Sequence, residues 1–201
     1  MKFKEVLVLS PHTDDAEFGA GATIAKLVEE DAHITAFMFA APLVQLVDEC
    51  KKALNILGVH NYKIFHFKTR HFYKVRQKIL QLLWDYNKAT QVDLVLTPST
   101  LDLHQDHQTV TNEALRAFRH STILGYELVG NHILLRENCF VSLEEKHVKK
   151  KVEAVLCYKS QVKLRPNIFN EDFIRAIMRS RSAHVKTKYA EAFEIIKLIL
   201  Q

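Results

Sequence analysis

Four short apolar runs, alternating with stretches of helical spacing, constrain this chain more than any other feature. They are "FKEVLVLS", "HITAFMF", "YKIFHF" and "VDLVLTP". Between them lie "TIAKLVEE", with Ile24, Leu27 and Val28 on one face, then "LVQLVDECKKALNILG" and "YKVRQKILQLLWDYNK". Gly58 closes the second of these, as glycine commonly does after a helix. Strands that are apolar along their whole length are buried on both faces, and the intervening helices supply the two covering layers. The pattern therefore predicts an α/β protein built on a parallel sheet.

Beyond "HQTVTNEALRAF", a further helix, the order loosens. "TILGYELV" and "HILLREN" are expected as additional strands, with a tight turn near Gly130 and Asn131. Helices over 143–158, 171–181 and 188–200 complete the chain. No repeat, low-complexity tract or linker interrupts it, so one domain over residues 1–201 is expected.

Composition narrows the class. With 48% hydrophobic and 25% charged residues, the chain reads as an ordinary soluble globular protein. The apolar run behind the Met-Lys-Phe-Lys opening, Val6 to Leu9, is too short for a secretory signal, and Asp14 and Asp15 follow at once. No stretch reaches the ~18 apolar residues of a membrane span. Cys50, Cys139 and Cys157 are odd in number and widely spaced, which fits free thiols and a cytoplasmic location. The net charge of +5 is uneven: residues 144–188 carry 12 Lys/Arg against 5 Asp/Glu. Such a segment could meet nucleic acid, an acidic lipid surface or a phosphorylated substrate, but a solvated helix surface is the simpler account of it.

The chemistry sits at two strand ends. The first strand runs into "SPHTDD", presenting His12, Asp14 and Asp15. The fourth runs into "TPSTLDLHQDHQTV", presenting Asp102, His104, Asp106 and His107. In an open parallel sheet, ligands bind outside the carboxyl ends of the strands, so neighbouring strands would bring the two clusters together. Imidazole and carboxylate donors without thiolate suit Zn²⁺ or another divalent first-row ion such as Fe²⁺. His12, Asp15 and one histidine of the second cluster make three ligands and leave a position for water. Asp14 then lies where a general base is wanted. Either cluster alone is weak, because aspartates also cap helices. The remaining histidines have no such company, and "GAGATI" lacks the third glycine of a dinucleotide loop.

Together the clusters resemble the PIG-L/LmbE-like N-acetylglucosaminyl deacetylase family. Its markers are a His-Pro-Asp-Asp segment after the first strand and a His-x-Asp-His segment further on. "KVEAVLCYKSQ" and "KYAEAFEIIK" are similar to stretches near the family's end, so the resemblance runs through nearly the whole chain. It implies a Rossmann-like, doubly wound fold, a single LmbE-like deacetylase domain and metal-dependent removal of acetyl from an N-acetylated amino sugar or its conjugate. Carried over by position, His12, Asp15 and His107 match the metal ligands and Asp14 the general base. His104 matches the histidine that stabilises the oxyanion, with Asp102 or Asp106 orienting the histidines from behind.

Three departures stand out. Thr13 replaces the family proline and Ala22 a family glycine. Leu46 stands three residues before Glu49, where the family commonly has a substrate-contacting arginine. Arg70, His71 and Tyr126 are the candidates for replacement contacts. The expected substrate is thus a small N-acetyl sugar or sugar conjugate, with phosphorylated or nucleotide-linked forms left open by the basic C-terminal half. Two other readings stay in view. One keeps the hydrolytic centre and acts on a non-sugar amide or a phosphoester. The other is a basic binding protein, although nucleic acid is not the expected partner because a binder needs no ligand triad. A homo-oligomer is left open.

Overall fold

The computed structural model describes residues 3–134 and 136–200. Five parallel strands form the body of the sheet: β1 (Glu5–His12), β2 (His33–Ala40), β3 (Asn61–Ile64), β4 (Leu94–Pro98) and β5 (Thr122–Tyr126). Helices α1 (Asp15–Glu29), α2 (Val44–Leu57), α3 (Arg76–Thr90) and α4 (Gln105–Ala117) connect them. β6 (Cys139–Leu143), α5 (Glu145–Leu156), α6 (Lys159–Leu164), α7 (Glu171–Arg181) and β7 (Tyr189–Lys197) follow. The strand order is β3-β2-β1-β4-β5-β7-β6, with β7 antiparallel to both neighbours. This is the mostly parallel, doubly wound architecture expected.

Burial explains the strands. Leu7 and Leu9 join Phe37, Phe39 and Val95 in a core on one face, under α3 and α4. Val6 and Val8 join Ile34, Met38 and Leu96 on the other face, under α1, α2 and α5. β1, β2 and β4 are thus buried on both sides, which is why their runs read as continuous, while β3 lies largely exposed at the sheet edge. Gly58 adopts the left-handed conformation at the end of α2 (φ 84°), as its position predicted. At Gly19 a Cβ would lie 2.3 Å from the Tyr126 ring, so glycine lets α1 settle onto β5. "GAGATI" lies wholly within α1 and forms no phosphate loop.

Three sequence expectations need correction. Residues 188–200 form no helix: "YAEAFEIIK" is β7. Alanine and glutamate favour helix locally, but here the segment fills the gap between β5 and β6, and packing overrides propensity. Its buried carboxylates are answered by remote groups. Glu191 accepts from the Ala22 and Thr23 amides and from Lys151, while Glu194 accepts from Ser99 and Thr100. "HILLREN" carries no strand at 132–134 or 136–138, and Leu135 lies outside the described residues; the strand begins at Cys139 instead. Finally, α1 starts at Asp15, earlier than its apolar spacing showed. The turn near Gly130 is present, with Gly130 at φ 100° and the Asn131 amide donating to Leu128.

Candidate active site

β1 and β4 are hydrogen-bonded neighbours, so their carboxyl ends place the two polar clusters side by side. Ser10 organises the first. Its hydroxyl donates to the His12 carbonyl at 2.5 Å and accepts from the Ala16 amide at 3.1 Å. Asp14 occupies the cap position of α1 without a side-chain cap bond, so helix capping does not account for it. The Asp15 carboxylate instead accepts from the His12 amide at 2.7 Å, folding the motif back on itself.

Three donor atoms converge. His12 Nδ1 lies 3.1 Å from His107 Nε2, and Asp15 Oδ2 lies 3.2 Å from each of those nitrogens. A tetrahedral ion with bonds of about 2.0–2.1 Å spaces its ligands about 3.3 Å apart, so this triangle fits a divalent first-row ion. The opposite ring nitrogens are each backed by a carboxylate. His107 Nδ1 is 2.7 Å from Asp102 Oδ2, and His12 Nε2 is 3.2 Å from Asp106 Oδ2. Such pairs fix the tautomer that leaves the inward nitrogen free. Asp106 also accepts from the Arg70 and Phe72 amides at 2.5 and 3.2 Å, which hangs the 65–75 segment on the site.

His104 also comes close, its ring centroid 4.5 Å from that of His107, and a ring nitrogen of each of His12, His104 and His107 lies within 4.8 Å of the others. Asp15 is nevertheless the better third ligand. His104 Nδ1 is occupied, accepting the Asp106 amide at 3.1 Å, which leaves the proton of the neutral ring on Nε2. Burial, with His107 and His12 nearby, lowers its pKa and keeps the ring neutral.

Without an ion, the triangle is held by charge. Burial pulls His12 and His107 down, but the surrounding carboxylates outweigh it and raise them to about 9 and about 10. Burial alone would raise Asp15, yet the two imidazoles hold it well below the usual carboxylate range. Asp14 is different: burial and the adjacent Asp15 charge push it up, against the pull of Arg165 and His12.

Arg165 is the residue that sequence reasoning missed. Its Nη2 lies 2.6 Å from Asp14 Oδ2 and 2.6 Å from Gln161 Oε1, and its guanidinium sits 4.4 Å from the Phe169 ring centroid. The only available signal was its place just beyond "YKSQ". That stretch clasps the site at three points. The Tyr158 hydroxyl donates to the Thr13 carbonyl, Ser160 donates to Glu49 through its amide and hydroxyl, and Gln161 holds Arg165. Asn131, also unforeseen, donates to Asp102 at 3.2 Å and lines a small cavity with Asp14, Phe18, Leu128, Arg165 and Phe169.

The replacement contacts fare unevenly. Arg70 is exposed and His71 half-buried, and both lie on the rim. Tyr126 is no substrate contact: it is fully buried and its hydroxyl donates to the Leu9 carbonyl at 2.7 Å, so it braces the sheet. Leu46 packs against the apolar core. A larger cleft, about 360 Å³, lies at the far end of the sheet between the C-termini of α3 and α4. Its Lys88, Arg119 and His120 complement the two helix dipoles and touch none of this chemistry.

Comparison with known proteins bears on the fold and the family likeness. The family described as PIG-L, GlcNAc-PI de-N-acetylase, matches residues 43–118. An uncharacterised deacetylase of Escherichia coli K12, YaiS, is 28% identical over 171 residues, covering 79% of this chain and 92% of its own length. Over these residues and this length, the chain is similar to PIG-L-type deacetylases. The N,N'-diacetylchitobiose deacetylase of Pyrococcus horikoshii superposes on this chain with a TM-score of 0.75, at 19% identity, over 96% of this chain and 84% of that one. GalB, the 4-carboxy-2-hydroxymuconate hydratase of Pseudomonas putida, superposes with a TM-score of 0.81, at 18% identity, over 98% of both chains. At such identities the likeness speaks for the fold alone and leaves the reaction to the site.

Proposed function

We propose that residues 1–201 form one deacetylase domain that removes acetyl from an N-acetylated amino sugar or its conjugate with the help of a divalent ion. Zinc suits the donor set best and iron(II) second. The carrying observation is the triangle of His12, Asp15 and His107, each histidine backed by its own carboxylate. An ion held there would acidify water and polarise the acetyl carbonyl.

The chain's own residues supply the rest. Asp14 Oδ2 is engaged by Arg165, which leaves the other oxygen to take a proton from the attacking water. Its raised pKa brings the carboxylate nearer to working pH, and the same group can pass that proton to the departing amine. His104 would point a neutral Nε2–H at the oxygen that gains charge, a contribution of about 3 kcal/mol by analogy with oxyanion-hole donors. Arg165, stacked on Phe169, is the cation nearest the base and is our candidate for the role that Leu46 cannot fill. It would also suit a phosphorylated or nucleotide-linked conjugate.

Among the described residues no helix is long and apolar enough to cross a membrane, and all three cysteines are free thiols, which supports a cytoplasmic setting. The basic-binder reading loses ground. Lys146, Lys151, Arg165, Arg175 and Arg181 of the basic segment are all spent in ion pairs. One second reading survives on a specific observation. With Leu46 in the core, the sugar-binding arginine is missing, so the same centre could serve a non-sugar amide or a phosphoester. A panel of N-acetyl sugars and phosphoesters, assayed with zinc or iron(II), separates them. Acetate release from the sugars supports the leading reading; phosphate release alone would overturn it.

A further inference from the structure

The face that carries the site has an unusual surface. Segments 41–44, 65–75, 99–104, 127–134 and 136–138 follow the carboxyl ends of β2, β3, β4 and β5, and segment 157–170 reaches the same end of the sheet through Tyr158 to Thr13 and Arg165 to Asp14. Contacts tie them into one rim: the Leu103 amide donates to the Asn131 carbonyl, the Arg70 amide to Asp106, and Arg165 to Asp14. Of the large aliphatic side chains exposed in the described residues, six stand on this rim, and the exposed Tyr73 joins them. They are Leu43, Val44, Leu103, Ile133, Leu134 and Leu164, with Ile133 83% and Leu134 70% exposed. Single exposed leucines are ordinary, but six on one face are not.

Cations interleave with them. Lys68, Arg70, Lys74 and Lys163 are exposed, and none forms an ion pair among the described residues. No carboxylate of these segments is exposed to answer them. Asp102 is buried, and Glu127 and Glu137 are held by Arg181.

We propose that this face docks on an anionic lipid surface, with the site mouth against the headgroups. Apolar side chains alone would fit a second copy of this chain, and cations alone a nucleic acid. A two-fold contact would set like charges against each other with no exposed carboxylate between them. Nucleic acid would leave the leucines in water. Anionic headgroups over acyl chains accept both features at once. The proposal is independent of the deacetylase reading, because it concerns the rim and needs no turnover.

Sedimentation with vesicles tests it. The full chain is mixed with vesicles of phosphatidylcholine, or of equimolar phosphatidylcholine and phosphatidylglycerol, at low and high salt. Binding is expected only to the anionic vesicles and to weaken with salt. The Ile133→Asp/Leu134→Asp variant should lose about tenfold or more in apparent affinity. Lys68→Glu/Lys163→Glu should lose about fivefold per cation replaced. Thermal melting of each variant confirms that it is folded. A wild-type chain that stays in the supernatant with anionic vesicles would overturn the proposal, as would folded variants that bind undiminished. If the wild type is instead an oligomer that Ile133→Asp/Leu134→Asp dissociates, a second copy covers the face and the proposal fails.

Discussion

Asp14 stands between two regions built on different principles. On one side is the triangle of His12, Asp15 and His107, where every member is held at least twice and the edges measure 3.1–3.2 Å. On the other is Arg165, which reaches Asp14 from 151 residues away and is held by Gln161 and the face of Phe169. The first region is over-determined by short-range spacing and carboxylate backing. The second hangs on one long side chain that is partly exposed. A protein arranged this way can keep its chemistry fixed while the substrate-facing side changes. Leu46, packed in the core where the family resemblance leads one to expect an arginine, is an instance of such change.

The contrast can be broken at several points. Asp14, the proposed base, joins the two regions, so its loss should have the greatest effect. Asp14→Asn should keep the ion but lower kcat about a thousandfold, measured by acetate release at matched metal content. An active variant would remove the base from the account.

Protonation tests the rigid side. In the metal-free chain, His12 and His107 are raised to about 9 and about 10 from an ordinary 6.5. They therefore stabilise the fold fully below about pH 6.5, and that contribution is lost as pH rises through their folded values. Ligation needs both imidazoles neutral, so each ion taken up near pH 7 should displace about two protons. Its affinity should rise about a hundredfold per pH unit there. Calorimetry in buffers of different ionisation enthalpy counts those protons directly; no release would mean that the imidazoles are not the ligands.

Legibility divides along the same line. The clusters "SPHTDD" and "LDLHQDH" could be read because their groups lie within a few residues of one another and exit adjacent strands of an evident parallel sheet. Arg165 could not, since its contact with Asp14 depends on where α6 falls after the sheet has closed. It entered the sequence reading only as one of many charges in a basic segment. The same limit governs the fold. β1, β2 and β4 show as continuous apolar runs, because both of their faces are covered. β7 does not, because Glu191 and Glu194 interrupt it and their partners, Lys151 and Thr100, are remote in sequence. Local propensity favours helix there, and only the waiting sheet edge decides otherwise.

Two smaller effects sharpen the comparison. Asp102→Asn should weaken ion binding about ten- to a hundredfold while the chain stays folded, because His107 loses its orienting carboxylate. Competition with a metal-binding dye measures this. Arg165→Gln should leave ion affinity unchanged and lower kcat/KM about tenfold, chiefly through KM. Arg165→Lys should restore little of it, since an ammonium cannot bridge Asp14 and stack on Phe169 at once. Steady-state kinetics at saturating metal separates the two arms.

The central claim is that two clusters far apart in sequence form one ion site. Elemental analysis of the purified protein beside its His107→Ala variant tests it most directly, before and after incubation with zinc or iron(II). About one ion per chain in the wild type, largely absent from the folded variant, is the predicted result. An equal ion content in the two proteins, or none in either after loading, would contradict it.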